Sequence, residues 1–188
     1  MLPLFYLVLT YMVASIPTGA ILSVLYADVD LREHGSGNIG ATNAARVVGK
    51  GVGAATLLGD ALKGFVPVAL APLVWSQPHF PDAVALSAFA GHCWSAYLNF
   101  KGGKGVATTA GAMLALAPLP TALTVIGWAG AVGLTRKSSV GALVSVFLLP
   151  LLVAWLEPTR TWVTLLLALG VALRHVDNVR RLLSGTER

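Results

Sequence analysis

Between positions 35 and 46 the sequence reads Gly35-Ser36-Gly37-Asn38-Ile39-Gly40-Ala41-Thr42-Asn43-Ala44-Ala45-Arg46, a small, polar stretch that ends in a cation. Glycines allow backbone N–H groups to converge and to approach a ligand closely. Ser36, Asn38, Thr42 and Asn43 add short hydrogen-bonding side chains, and the Arg46 guanidinium is a planar fork suited to phosphate or carboxylate. The chemistry expected is capture of an anion at a membrane surface. The plain alternative is a flexible glycine-rich loop between helices. Gly35, Gly37 and Gly40 also satisfy the spacing G-x-G-x-x-G. That pattern signals a dinucleotide only inside a βαβ unit, and a long apolar run precedes it here, so the nucleotide reading is rejected.

Three further polar stretches interrupt an otherwise apolar chain. Phe100-Lys101-Gly102-Gly103-Lys104-Gly105 sets two ammonium groups beside glycines, a composition expected to offer backbone N–H groups to phosphate. It lacks the Walker spacing G-x-x-x-x-G-K-[ST], and its alternative is a basic loop that only sets topology. Thr135-Arg136-Lys137-Ser138-Ser139 and Arg174-His175-Val176-Asp177-Asn178 complete the set, with His175 and Asn178 spaced to share a helix face. Asp60 and Lys63 lie on one face of an apolar run, either as a mutual ion pair or as the lining of a polar site. His92 and His175 stand near these loops as structural hydrogen-bonders or as catalysts, with His175 the better functional candidate. No His-Glu-x-x-His pattern occurs and Cys93 is the single cysteine, so no metal and no disulfide are expected.

The elements that must hold these loops are membrane helices. Of 188 residues, 56% are hydrophobic and 11% charged, against about 25% charged in soluble domains. The composition predicts an all-α integral membrane protein, a single domain over 1–188 folded as a compact bundle of about seven transmembrane helices. Apolar runs predict spans near 3–26, 51–75, 84–98, 105–118, 120–134, 139–156 and 160–174. The third and fourth are short for a crossing and leave five or six spans as the alternative. Met1 to Tyr26 lacks a basic leader and is expected to stay as the first span. Ser15-Ile16-Pro17-Thr18-Gly19 interrupts that span, as a kink or as the wall of a slot for a lipid chain. Gly51-Val52-Gly53 and the run from Gly127 to Gly133 are expected to mark close helix packing.

Cations choose the orientation. Arg32, Arg46 and Lys50 follow the first span, Lys101 and Lys104 the third, Arg136 and Lys137 the fifth, and Arg174, Arg180, Arg181 and Arg188 the seventh. The alternate connections carry one cation between them, Arg160. The positive-inside rule then puts the N-terminus outside, the C-terminus in the cytoplasm and all four polar loops on the cytoplasmic face. The Arg180-Arg181 pair reads most simply as an attraction to anionic headgroups.

These motifs resemble the PlsY family, bacterial membrane glycerol-3-phosphate acyltransferases that use acyl phosphate. The matching residues are Ser15-x-Pro17-x-Gly19, Asp30-x-Arg32-x-x-Gly35-Ser36-Gly37-Asn38-x-Gly40-Ala41-Thr42-Asn43-x-x-Arg46 and Gly59-Asp60-x-x-Lys63-Gly64. They continue with Gly91-His92, Phe100-Lys101-Gly102-Gly103-Lys104-Gly105, Thr135-Arg136-x-x-Ser139 and Arg174-His175-x-x-Asn178-x-x-Arg181-Leu182. One departure is visible: the family usually carries a proline shortly after the Gly-His pair, where this chain reads Cys93-Trp94-Ser95.

The resemblance implies seven membrane helices in a bacterial inner membrane and transfer of a fatty acyl group from acyl phosphate to the 1-hydroxyl of glycerol 3-phosphate. Lysophosphatidic acid and inorganic phosphate would result, as the first step of phospholipid assembly. It implies no cofactor, no acyl-CoA or acyl carrier protein as direct donor, and a soluble partner enzyme that supplies acyl phosphate. Nothing in the chain suggests a nucleic-acid partner. On this reading Ser36, Asn38, Thr42 and the backbone around Gly35, Gly37 and Gly40 clamp acyl phosphate. Lys104 and Arg46 bind phosphate, and Asn43, Lys101, Ser139, His175 and Asn178 place glycerol 3-phosphate, with Gly102, Gly103 and His92 also at the substrates. The proton acceptor is His175 or a phosphate oxygen of the substrate. An anion transporter is the rival class, expected to show inverted repeats and polar groups at mid-membrane. An alcohol phosphotransferase would need a cluster of metal-binding aspartates that is not seen.

Overall fold

The computed structural model describes residues 1–187, so the Arg188 cation lies outside the described residues. Among them every regular element is helical. In chain order these are α1 (Leu2–Ser15), α2 (Thr18–Ala27), α3 (Ala41–Val47), α4 (Lys50–Val74), α5 (Phe80–Cys93), α6 (Val106–Leu116), α7 (Pro118–Thr135), α8 (Ser138–Leu156), α9 (Thr161–Arg174) and α10 (Val176–Leu183). Short 3-10 turns occupy Ala96–Leu98 and Pro158–Arg160.

All seven apolar runs fold as helices, but they differ in reach. Among the described residues, Leu2–Ala27 (α1 with α2), α4, α7 and α8 are long and apolar enough to cross a membrane. Pro158–Arg174 and α10 make a fifth only if the pair, bent by 54° at His175, counts as one span. The 14 residues of α5 and the 11 of α6 rise about 21 and about 16 Å, against about 30 Å of hydrocarbon. Four crossings, or five, are what length and composition support.

The chain groups into two compact units, Met1–Ala112 and the residues from Met113 onward. In the first, α4 is the spine. Gly53 meets Ala45 of α3 and Gly59 meets Thr18 of α2. A side chain at Gly64 would collide with the Thr108 carbonyl, and one at Gly111 with the Ala61 carbonyl, so α4 and α6 touch backbone to backbone. Gly91 lets α5 lie against the Tyr11 carbonyl of α1 in the same manner. Small residues at such contacts are how helices associate where lipid offers no hydrophobic drive.

Pro17 breaks the first span because it has no N–H to donate. At the break the Ile16 N–H takes the Val13 carbonyl at 3.1 Å, and side chains from elsewhere in the fold reach the carbonyls that follow: Ser95 Oγ donates to Ser15 O at 2.6 Å and Lys63 Nζ to Ile16 O at 2.8 Å. The kink reading of Ser15 to Gly19 is thus the one with visible partners.

In the second unit α7 ends where Arg136 adopts a left-handed φ of 59°, and α8 starts at Ser138. Gly127 packs on Leu148, and Gly141 accepts the Trp128 ring. Gly130, Gly133 and Gly51 would meet nothing within 4 Å, so within the two glycine runs only Gly127 and Gly53 mark tight contacts.

Gly111→Leu should therefore lower stability by about 2 kcal/mol or more, since overpacking against main chain cannot relax by a rotamer change. Gly130→Ala, in an open helical position, should gain up to about 1 kcal/mol. Thermal unfolding of both variants in mild detergent checks the contrast.

Candidate functional site

The loop from Asp30 to Gly40 is built around one amide. Asn43, at the start of α3 and 2% exposed, accepts the Ser36 N–H at Oδ1 (2.9 Å). Its Nδ2 donates to the carbonyls of Leu31 (3.2 Å), His34 (3.0 Å) and Asn38 (2.9 Å). Gly35 runs at φ 63° directly over Oδ1, where a Cβ would collide, so glycine is required there on both counts. Both ends of the Asn43 amide are thus engaged in folding the loop.

Backbone N–H groups are engaged within the loop as well. The N–H groups of Ser36, Gly37 and Gly40 are taken by Asn43 Oδ1, the His34 carbonyl and Asn38 Oδ1, at 2.9, 3.1 and 2.8 Å. What the loop presents is side chains. Ser36, Thr42 and Arg46 are exposed and Asn38 is half-buried. At the loop's entry Arg32 grips Asp30, Nε at 3.0 Å from each carboxylate oxygen and the terminal nitrogen at 2.6 Å. That hydrogen bonding holds the Asp30 carboxyl at about 2.

The second loop is fastened to the middle of α4. Asp60 and Lys63 form a 2.8 Å ion pair with side chains only 4% and 7% exposed. His92, at the end of α5, brings Nδ1 to 3.7 Å from the same Asp60 oxygen. Gly103 lies against the His92 ring and Gly102 against the His92 carbonyl, each so close that a side chain would collide. Gly102 N–H donates to Cys93 O (3.2 Å) and Gly103 N–H to His92 O (3.0 Å). Gly102, Gly103 and His92 were expected at the substrate; their visible role is to lock the loop onto α5. Lys101 is exposed and Lys104 half-buried. Asn99 and Phe100 reverse the chain just before them in consecutive left-handed conformations, φ 49° and 61°.

In the second unit α8, α9 and α10 contribute the remaining residues. His175 ends α9 and is 3% exposed, and its Nδ1 donates to Val171 O at 2.8 Å. A carbonyl only accepts, so the proton sits on Nδ1 and Nε2 is the lone-pair nitrogen of the neutral ring. Asn178 Nδ2 donates to Glu187 Oε1 at 2.6 Å, and Arg181 Nε to Glu187 Oε2 at 2.7 Å. Burial opposes ionisation of Glu187, but hydrogen bonding from Arg181 and Asn178 holds its carboxyl at about 2. Arg180 instead pairs with Asp177 at 3.1 Å, both side chains 76% exposed. The two neighbouring arginines thus have different partners. The spacing of Asn178 and Arg181, three apart on α10, is the signal in the sequence that Arg181 shares a partner with Asn178.

The fold and these loops define a polytopic helical membrane protein whose polar loops carry the cations Arg46, Lys101 and Lys104. The family profile described as glycerol-3-phosphate acyltransferase matches residues 4–185. A glycerol-3-phosphate acyltransferase of Geobacter sulfurreducens is 46% identical over 94% of this chain and 92% of its own. Another from Syntrophotalea carbinolica is 45% identical over 97% and 96%. A crystal structure of PlsY (YgiH), an integral membrane glycerol 3-phosphate acyltransferase in its glycerol 3-phosphate form, superimposes with TM-score 0.94 and 31% identity over 99% of this chain and 94% of that one. The lysophosphatidic acid form of the same protein gives TM-score 0.91. The chain belongs to the glycerol-3-phosphate acyltransferase (PlsY) family.

Removing one partner of the buried pair leaves the other charge uncompensated, a loss of about 3–5 kcal/mol. Asp60→Asn and Lys63→Met should each destabilise strongly, and the double variant by less than the sum of the two. Thermal unfolding of the three variants tests this.

Proposed function

We propose that this protein is a glycerol-3-phosphate acyltransferase whose acyl donor is acyl phosphate. The carrying observation is the match, over nearly the whole chain, to a protein solved with glycerol 3-phosphate and in a lysophosphatidic acid form. In the proposed reaction the 1-hydroxyl oxygen of glycerol 3-phosphate attacks the carbonyl carbon of acyl phosphate. The new ester C–O bond forms, the bond between carbonyl carbon and bridging oxygen breaks, and inorganic phosphate leaves. Lysophosphatidic acid is the other product. An acyl phosphate is already an activated mixed anhydride, so positioning and charge stabilisation supply most of what is needed.

Ser36, Asn38 and Thr42 are assigned to the acyl-phosphate group, and Arg46 and Lys104 to its charge. Lys101, Ser139, His175 and Asn178 are assigned to glycerol 3-phosphate. Asn43 acts through the loop it folds, Gly35, Gly37 and Gly40 through its conformation, and Gly102, Gly103 and His92 by holding Lys101 and Lys104 in place. The hydroxyl proton passes to a substrate phosphate oxygen. His175 Nε2 is the alternative acceptor.

The same reading puts seven helical segments in a bacterial inner membrane, N-terminus outside, C-terminus and active site cytoplasmic, with 1–188 serving one activity. The charge distribution supports it. Acyl phosphate is a reactive anhydride, so a soluble enzyme that phosphorylates an activated acyl group is the partner required.

Purified protein in lipid should make lysophosphatidic acid from palmitoyl phosphate and labelled glycerol 3-phosphate but not from palmitoyl-CoA, and Lys104→Ala should abolish product. Equal turnover with palmitoyl-CoA would refute the donor, and no product from a folded sample would refute the activity. His175→Gln should raise the KM for glycerol 3-phosphate about tenfold or more and leave the pH–rate profile in place. Loss of the acid limb of that profile would identify His175 as the base.

A further inference from the structure

Glu187 reaches back from beyond α10 and puts an acceptor-only carboxylate on Asn178 and Arg181, at 2.6 and 2.7 Å, with the Ser139 hydroxyl beside it. A guanidinium fork, an amide N–H and a hydroxyl around one small anion are the donors that recognise a phosphate monoester. Two of them, Ser139 and Asn178, are residues assigned above to glycerol 3-phosphate. The Glu187 side chain is 7% exposed, so the carboxylate fills the space between these donors.

Among the described residues, the segment that delivers it is held only by local bonds to the end of α10 and within itself. Ser184, Gly185 and Thr186 are exposed. Gly185 turns the chain at φ 71° with nothing within 4 Å of where a Cβ would stand. The Thr186 and Glu187 N–H groups share one acceptor, the Arg181 carbonyl, at 2.9 and 3.1 Å. Rotation about this hinge can withdraw the carboxylate without disturbing α10.

We propose that Glu187 is an internal anion that occupies the Ser139–Asn178–Arg181 cluster and must leave before substrate phosphate can bind there. This rests on the acyltransferase reading for the identity of that substrate. Arg181 becomes the charge for which Glu187 and the substrate phosphate compete. A site occupied most of the time by its own carboxylate has its apparent affinity reduced by the fraction that is open.

Glu187→Gln keeps the shape and removes the charge. Its apparent KM for glycerol 3-phosphate should fall by about threefold to tenfold, and inorganic phosphate should raise its unfolding temperature at correspondingly lower concentration than in wild type. In an Arg181→Gln background the Glu187→Gln change should give no gain in phosphate affinity, because the competed charge is gone. Deletion of the residues after Ser184 should reproduce the Glu187→Gln effect. An unchanged or weakened phosphate response in Glu187→Gln would overturn the proposal, as would an equal gain in the Arg181→Gln background. The phosphate titrations need no turnover. Failure of the acyl-transfer assay with a normal phosphate response would thus count against the reaction and leave the latch standing.

Discussion

The buried pair of Asp60 and Lys63 is the constraint on which the first unit depends. Two opposite charges almost wholly removed from solvent are tolerable only when matched to one another and to further polar groups. Lys63 donates to the Ile16 carbonyl at the break that Pro17 makes in the first span. Asp60 stands beside His92, and His92 in turn supports Gly102 and Gly103. One pair on α4 thus joins the break between α1 and α2 to the end of α5 and to the loop that carries Lys101 and Lys104. Asp60 lies ten residues into α4, about 15 Å along its axis. The short α5 runs back along α4 and ends at the level of that pair, short of the start of α4.

Much of this was legible in the sequence, because hydrophobic runs and their Pro, Gly and charged interruptions report directly on helices in lipid. The seven apolar segments, the break at Pro17 and the shortness of the segments around Asn99 to Lys104 all follow from that signal. The Asp60–Lys63 pairing was one of two readings that helical spacing allowed. Hidden from sequence was the destination of individual N–H groups. A glycine that offers its N–H to a ligand and one that packs on a histidine look alike in one dimension, and Gly102 and Gly103 are of the second kind. Asn43 has the composition of a ligand and the bonding of a loop's keystone. The contact of Glu187 with Asn178 and Arg181 depends on a chain reversal at Gly185, which no helical periodicity encodes.

The division of labour suits the proposed chemistry. Polar groups that fold the loops are engaged with the main chain, while Ser36, Thr42, Arg46 and Lys101 remain exposed. Preorganised loops need little reordering when substrate arrives, and such preorganisation is the larger part of electrostatic catalysis. The lone cysteine, Cys93, is buried in α5, and Ser36 is an exposed residue of its loop. That arrangement favours direct transfer between two bound substrates over an acyl-enzyme intermediate.

The most direct test of this account is isotope exchange. Protein in lipid is incubated with palmitoyl phosphate and radiolabelled inorganic phosphate without glycerol 3-phosphate, and label in the acyl phosphate is measured. Direct transfer predicts no exchange until glycerol 3-phosphate is added. Label entering the acyl phosphate in its absence would reveal a covalent acyl-enzyme and contradict a site that works by positioning two phosphates.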